Sequence, residues 1–293
     1  MNYLHGFHAG NFADVIKHAV LARILVHLLD KEKPFRVIDT HAGQGSYDLG
    51  AQEARRTGEW RHGIGRLLGE DDGGPEQPLD PELGGFLAPY LGAVSAWRAE
   101  HGRRAYPGSP AIIRHFLRRD DRLIAVEAQE QGFRRLARLF PPGSRAKALD
   151  LDGYVAWSAF IPPKERRGLV LVDPPYEAPD EFERIAATLE IAARKWPTGI
   201  TLIWHPLKDR ALARRFIERL AQLGLPELWR VELYIGTDAD DEAGLGACGL
   251  IVVNPPWTLP GELSAALPKL AARLARGPNP SGSCERIKPA GRA

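Results

Sequence analysis

Gly168-Leu169-Val170-Leu171-Val172-Asp173-Pro174-Pro175-Tyr176 is the stretch on which the fold reading turns. A short, unbroken apolar run between a glycine and a proline pair predicts a strand buried on both faces. Strands of that kind belong to parallel α/β sheets. The two prolines forbid helix, hold the chain extended beyond Asp173 and remove two backbone donors. A carboxylate, free carbonyls and an aromatic ring remain at the strand tip. Those groups can accept hydrogen bonds from an amino group on a flat heterocycle and stack on its face.

The pattern repeats outward from that strand. Asn11 can cap a helix with Asp14 in its first turn and an apolar face of Val15, Ile16, Ala19, Val20, Ile24 and Leu28. That helix ends at Lys31-Glu32-Lys33-Pro34. Strands are expected at 35–39, 123–127, 146–149, 168–173, 199–204, 228–235 and 249–253, with helical segments between most of them. A polar loop without helical periodicity joins the last two, which suits an antiparallel return and not a crossover helix. The fold class expected is therefore α/β, a Rossmann-like sheet of seven strands whose last is antiparallel. Residues 1–47 and 107–274 form its main domain. Residues 48–106 break the alternation and read as a small helical insertion with a mobile loop near 70–81. The Gly- and Pro-rich tail, 275–293, is expected to be disordered.

A chain of 293 residues can hold one large α/β domain, and 44% hydrophobic with 26% charged residues is ordinary for a globular protein. There is no apolar run of membrane-spanning length, and Met1-Asn2-Tyr3-Leu4-His5-Gly6 lacks a signal-peptide pattern. Two cysteines, Cys248 and Cys284, support neither a disulfide framework nor a cysteine zinc site, so a reducing cytoplasm is the expected compartment. Net charge is only +2, but arginines crowd at Arg55, Arg56, Arg61 and Arg66, and again from Arg98 to Arg119. The guanidinium fork suits phosphate. The same clusters also read as a solvated surface, so charge permits RNA binding without demonstrating it.

The first strand runs into Thr40-His41-Ala42-Gly43-Gln44-Gly45. Glycines there let a nucleotide-like ligand approach the carboxyl edge of a doubly wound sheet. The third glycine of the dinucleotide fingerprint is missing, which argues against NAD and its pyrophosphate. Glu127, at the second strand's tip, is placed for ribose hydroxyls, and Asp152-Gly153 for an adenine ring. Singly, each acid could be a helix cap or surface carboxylate. In this order they match the sheet of S-adenosylmethionine-dependent methyltransferases. Asp173 and the Pro174 carbonyl could then hold the two N–H groups of an exocyclic amine while Tyr176 stacks the base. The sulfonium supplies its own leaving group, so neither a metal nor a covalent intermediate is required. A base within RNA must be swung out to reach such a pocket. Asn254-Pro255-Pro256-Trp257 is a near-copy, but an antiparallel strand would carry it to the opposite sheet edge, where it reads as structural. His5, His8 and His18 have loose spacing and no cysteine partner, a poor zinc pattern.

Phe7-His8-Ala9-Gly10-Asn11-Phe12-Ala13-Asp14-Val15-Ile16-Lys17-His18 strongly resembles the leader of the bacterial 23S ribosomal RNA adenine-N6 methyltransferase family RlmJ. Asp39-Thr40-His41-Ala42-Gly43, Tyr106-Pro107-Gly108-Ser109-Pro110, Asp173-Pro174-Pro175-Tyr176 and Asn254-Pro255-Pro256-Trp257 extend the resemblance to about residue 270. It implies methylation of one adenine in 23S rRNA by a cytoplasmic monomer using S-adenosyl-L-methionine. Its implied cofactor contacts are His18, His41, Ser109, Glu127, Asp152, Gly153 and Asp173. Asp173 is also implied to be catalytic, with Pro174 and Tyr176 beside it, and Tyr3 and Lys17 would meet the RNA. Gln44 stands where the family carries a small residue. Two other functions remain open: a DNA adenine-N6 methyltransferase, and a non-catalytic RNA-binding protein on the same fold. Intact Asp173, Tyr176 and Glu127 argue against the second.

Overall fold

The computed structural model describes residues 5–70, 78–236 and 245–289, and its centre is a helix that is almost wholly interior. A 3-10 turn (His5–Phe7) leads into α1 (Phe12–Leu29). The Asn11 side chain accepts the backbone N–H groups of Ala13 and Asp14, each at 3.0 Å, and so caps α1. Val15, Ile16, Val20, Leu21, Ile24 and Leu25 point in every direction around α1, and all are buried. A helix that is apolar all round has to be covered all round.

Chain order then runs β1 (Arg36–Asp39), β2 (Ser46–Asp48), α2 (Gln52–Thr57), α3 (Ile64–Leu67) and α4 (Pro81–His101). Next come β3 (Ala105–Pro107), α5 (Ser109–Phe116), β4 (Arg122–Val126), α6 (Glu130–Leu139), β5 (Ala146–Leu149), α7 (Gly153–Phe160) and β6 (Gly168–Val172). The chain closes with α8 (Glu181–Lys195), β7 (Ile200–Pro206), α9 (Arg210–Ala221), β8 (Leu228–Tyr234), β9 (Ala247–Val253), α10 (Leu259–Leu274) and β10 (Ser281–Arg286). The main sheet has the order β10-β8-β9-β7-β6-β1-β4-β5. Strands β7, β6, β1, β4 and β5 are parallel, and β9 is antiparallel to both its neighbours.

Side-chain alternation along the strands divides the core. Val37, Leu169, Leu171, Leu202, Leu250 and Val252 face a cluster with α1, α4, α5 and α10. Ile38, Val170, Val172, Ile203, Ile251 and Val253 face α7, α8 and α9. The result is a three-layer Rossmann-like α/β/α fold. After β1 the chain winds outward to β4 and β5, and it then returns to β6 and β7 on the other side of β1. A crevice therefore opens at the carboxyl ends of β1 and β6, where Asp39 lies in register with Leu171.

The insertion leaves and rejoins the main body through the antiparallel ribbon β2–β3, in which Tyr47 pairs with Tyr106. Leu83, Phe86, Leu87 and Tyr90 of α4 belong to the same apolar cluster as α1, so this segment roofs the central helix. Most of the loop expected near 70–81 lies outside the described residues, as does most of the loop joining β8 to β9.

Two expectations need correction. The sheet has eight strands where seven were expected, and the tail is not disordered throughout: residues 281–286 pair antiparallel with β8. Without β10, β8 would present an open row of backbone donors and acceptors. The tail's polar composition hid the strand because its affinity comes from that edge, with Ile287 buried just beyond it. In addition, β8 runs in the same direction as β7, since both are antiparallel to β9. The end of β9 lies at the opposite sheet edge from Asp173: Val253 pairs with Thr201 and Leu228, near the starts of β7 and β8.

Ending the chain after residue 276 should lower unfolding stability by about 2–4 kcal/mol, through the bared edge and the loss of Ile287. Urea unfolding followed by circular dichroism measures this; an unchanged midpoint would show that β10 is not part of the folded sheet.

Candidate active site

The crevice opens into a cavity of about 410 Å³, within the range of about 300–1,000 Å³ typical of small-molecule sites. Lys17, His18, His41, Ser109, Glu127, Asp152, Gly153 and Asp173 all line it, although they come from six separate segments of the chain. Pro174 and Tyr176 are not in its wall, while Pro175 is. Pro174 is buried. Tyr176 adopts a left-handed conformation (φ 53°), and its hydroxyl donates to the Trp204 carbonyl at 2.6 Å. Its ring packs on Phe182 and Trp204, with centroids at 5.0 and 5.7 Å. Tyr3 lies outside the described residues.

At the tip of β1, the Thr40 hydroxyl donates to the Leu171 carbonyl at 2.9 Å. Its oxygen is then left to accept from Nδ1 of His41, 2.8 Å away. This network assigns the proton to Nδ1 and leaves Nε2 as an acceptor. Burial pushes the His41 imidazole down to about 4, so it is neutral at physiological pH. The ring lies against the start of α7, where a Cβ on Gly153 would come within 2.9 Å of Nε2; only glycine fits. Asp152 caps α7, accepting the N–H groups of Tyr154 at 2.9 Å and Val155 at 3.0 Å, and Arg184 reaches it at 3.3 Å. Burial works to raise the Asp152 carboxyl, but those donors and Arg184 outweigh it and hold it below its ordinary value. Glu127 accepts the N–H of Gln129 at 2.7 Å, and Gly132 leaves room for its side chain.

Gly43 and Gly45 carry the β1 turn at φ 59° and 79°, conformations that favour glycine. Gln44 between them accepts a hydrogen bond from Arg135, so the residue that departs from the family pattern is tied to α6 at the cavity wall.

Lys17 is the most unexpected feature. It is 3% exposed, although Lys is rarely buried. Its ammonium donates to Asp173 and lies 2.8 Å from Asp14, itself 2% exposed. Burial alone would lower the lysine pKa, but the two carboxylates hold it well above the ordinary value. Read as an RNA contact, Lys17 is not on the surface; it can meet a substrate only inside the cavity. His18 bonds through Nδ1 to Tyr106 at 2.9 Å, and Tyr106 to Tyr90 of α4 at 3.0 Å. Ser109 donates to Asp39 at 2.7 Å. Asp14, Asp39 and this tyrosine pair did not emerge from the sequence as site residues. An acid three residues before Lys17 on a helix was the available signal.

Six carboxylates line the cavity (Asp48, Glu53, Glu127, Asp152, Asp173, Glu181) against Lys17, Arg135 and Arg184. That balance disfavours a pyrophosphate and suits a nucleoside of net positive charge. The sulfonium of S-adenosylmethionine fits, with acceptors for ribose and adenine and a side-chain-free glycine turn beside it. Among the described residues no group of three or more metal-ligating side chains is assembled.

Fold and site together define an S-adenosylmethionine-dependent methyltransferase. The family described as ribosomal RNA large subunit methyltransferase D, RlmJ, matches residues 32–286. The chain belongs to that family, and it is an rRNA methyltransferase. It is 38% identical to ribosomal RNA large subunit methyltransferase J of Escherichia coli (strain K12), over 94% of each chain. Identity to the protein of the same name from Haemophilus influenzae is 36% over 99% of each. Among solved structures, protein LPL1258 of Legionella pneumophila superposes with a TM-score of 0.82 at 29% identity, covering 96% of this chain and 98% of that one.

Burial raises the Asp39 carboxyl to about 7, with the Asp173 charge adding to the effect and Ser109 and Lys17 opposing it. Its Oδ1 meets no donor. The unfolded chain therefore ionises at Asp39 before the folded one does, and stability falls as pH rises from about 4 to 7. Asp39→Asn should match wild type near pH 4 and exceed it near pH 8 by a few kcal/mol. Urea titrations at both pH values test this; a parallel pH dependence in the two proteins would acquit Asp39.

Proposed function

We propose that the protein methylates N6 of one adenine in 23S ribosomal RNA, the base being swung out of the RNA into the crevice beside Asp-Pro-Pro-Tyr. The observation that supports this most is Asp173 in the cavity wall at the β1–β6 crevice, alongside His41, Glu127 and Asp152. His18, His41, Ser109, Glu127, Asp152 and Gly153 would hold S-adenosylmethionine, which would supply an electrophilic methyl group with a neutral thioether as leaving group.

The chain's own residues prepare the nucleophile. An adenine amine is conjugated with its ring, and its lone pair is unavailable while the group is planar. Asp173 accepts one N–H and the Pro174 carbonyl the other, turning the nitrogen toward a tetrahedral geometry with its lone pair facing the donor. As the C–N bond forms, positive charge grows on nitrogen and the Asp173 carboxylate stabilises it. One proton then leaves the nitrogen for solvent. Pro174 and Pro175 have no N–H with which to compete for the base's acceptors. Tyr176, outside the cavity wall, is the ring assigned to stack the base, and its hydroxyl is held by the Trp204 carbonyl. Tyr3 and Lys17 act on the RNA side, Lys17 only at the inserted base. The enzyme works as a monomer in the cytoplasm.

Asp173→Ala should cut methyl transfer at least about 1,000-fold, the upper end for loss of one stabilising group, while calorimetry shows cofactor affinity changed less than about threefold. Equal losses in rate and cofactor affinity would remove Asp173 from the amine. Tyr3→Ala should weaken the reaction through RNA affinity and leave cofactor affinity intact; unchanged RNA kinetics would remove Tyr3. Mass spectrometry of 23S rRNA from cells with and without the protein tests the whole reading. Methylation of duplex DNA in place of a 23S fragment would overturn it.

A further inference from the structure

We propose that Asp14 is a positioning residue that holds the Lys17 ammonium, leaving the negative charge of Asp173 for the target amine. The inference rests on the adenine-N6 reading above and concerns the same site. It starts from a conflict in that site. Lys17 donates to Oδ2 of Asp173, the group that must accept an N–H from the base. A buried ammonium bonded there has two adverse effects. It draws on the same carboxylate charge that the amine would use, and it puts a positive charge next to the nitrogen on which positive charge must grow.

Asp14 answers both. Its Oδ1 lies 2.8 Å from the Lys17 nitrogen, so the ammonium already has a second carboxylate within hydrogen-bonding distance. When the amine arrives, Lys17 can shift its weight onto Asp14 without becoming a buried charge that lacks a partner, a state proteins do not tolerate. The charge count also changes. Lys17 and Asp173 alone sum to zero, whereas Asp14, Lys17 and Asp173 sum to −1. The trio therefore favours a forming cation, and the pair does not.

The geometry of Asp14 suits this role. Its Oδ2 accepts the Gly10 N–H at 2.8 Å, which leaves Oδ1 aimed at Lys17. His18 Nε2 is also near Oδ1, at 3.9 Å, and His18 is held from its other side by Tyr106. An ordinary first-turn helix acid would explain the Gly10 bond. It would not require a buried lysine that bridges to a strand tip 156 residues away.

The test separates this role from a structural one. Asp14→Asn keeps an acceptor for Gly10 and removes the charge. The expected result with a 23S-derived hairpin is a kcat reduced about 10- to 100-fold. Cofactor affinity, and RNA affinity measured with S-adenosylhomocysteine present, should change less than about threefold. In a Lys17→Met background the same substitution should add less than about twofold, since there is no ammonium left to hold. Asp14→Glu, which keeps the charge, should recover much of the rate. Lysine-selective nitrogen NMR supplies a readout without turnover: adenosine should shift the Lys17 ammonium signal in wild type more than in Asp14→Asn. Equal losses in both backgrounds, a loss confined to binding, or an Asp14→Glu variant no better than Asp14→Asn would overturn the role. If wild type fails to methylate the hairpin, the functional reading falls first; if it is active and Asp14→Asn keeps full kcat, Asp14 alone falls.

Discussion

The Lys17 ammonium, buried between Asp14 and Asp173, is the constraint that the rest of the molecule accommodates. Burying an ion costs several kcal/mol unless it is fully paired. The pairing here ties the first turns of α1 to the tip of β6, across most of the chain. For α1 to stay in that position its polar patch must be closed to water, and that takes a cover. The insertion helix α4 provides one. Tyr90 sends its hydroxyl to Tyr106, which holds His18, so the insertion contributes to the polar interior as well as to the apolar roof. The ribbon β2–β3 brings Tyr106 to that point while returning the chain to the sheet edge. The insertion and the tip of β6 are thus linked through one buried polar network.

The sheet was legible because its signal is local. All five residues of β6 are buried, as a doubly covered strand requires, and the alternation of its neighbours sorts the two faces without ambiguity. Glu127 and Asp173 were legible for the same reason, each following directly on an apolar run. What escaped depends on contacts that no window of sequence contains. Lys17 and His18 entered the site only through the family resemblance and Asp14 not at all, because their i, i+3, i+4 spacing gives no local sign of an interior site. Only Asp173 and Tyr106, reached through the tertiary fold, turn it into an interior site. The same holds for β10, where a stretch of serines and glycine becomes a strand because β8 offers an open edge.

Asp173-Pro174-Pro175-Tyr176 and Asn254-Pro255-Pro256-Trp257 look alike in sequence, and their backbones show why they are not equivalent. In the first the left-handed residue is the last, Tyr176 (φ 53°); in the second it is the first, Asn254 (φ 51°). Asn254 turns at once and spends its amide on the carbonyls of Pro197 and Gly199, both at 2.8 Å, stitching the far sheet edge. Asp173 keeps its carboxylate at the cavity, and the left-handed turn comes three residues later, at Tyr176. One side chain is consumed at the far sheet edge, and the other faces the cavity.

The acidic lining bears on how an RNA enzyme can work at all. Six carboxylates around the cavity attract a sulfonium and repel phosphate, yet the substrate is a polyanion. These demands are compatible only if the nucleic acid backbone stays at the mouth and the base alone goes in. Arg55 and Arg56 lie exposed on α2, next to Ala51 and Glu53 of the cavity rim, where an excluded backbone would run. Inside, His41 is neutral, Lys17 is paired with two carboxylates and Arg184 with Asp152 and Glu181, so these groups compete little with a cationic methyl donor. Under the proposed function, this charge pattern favours an unpaired base held at arm's length from its own phosphates, which is the geometry that base flipping supplies.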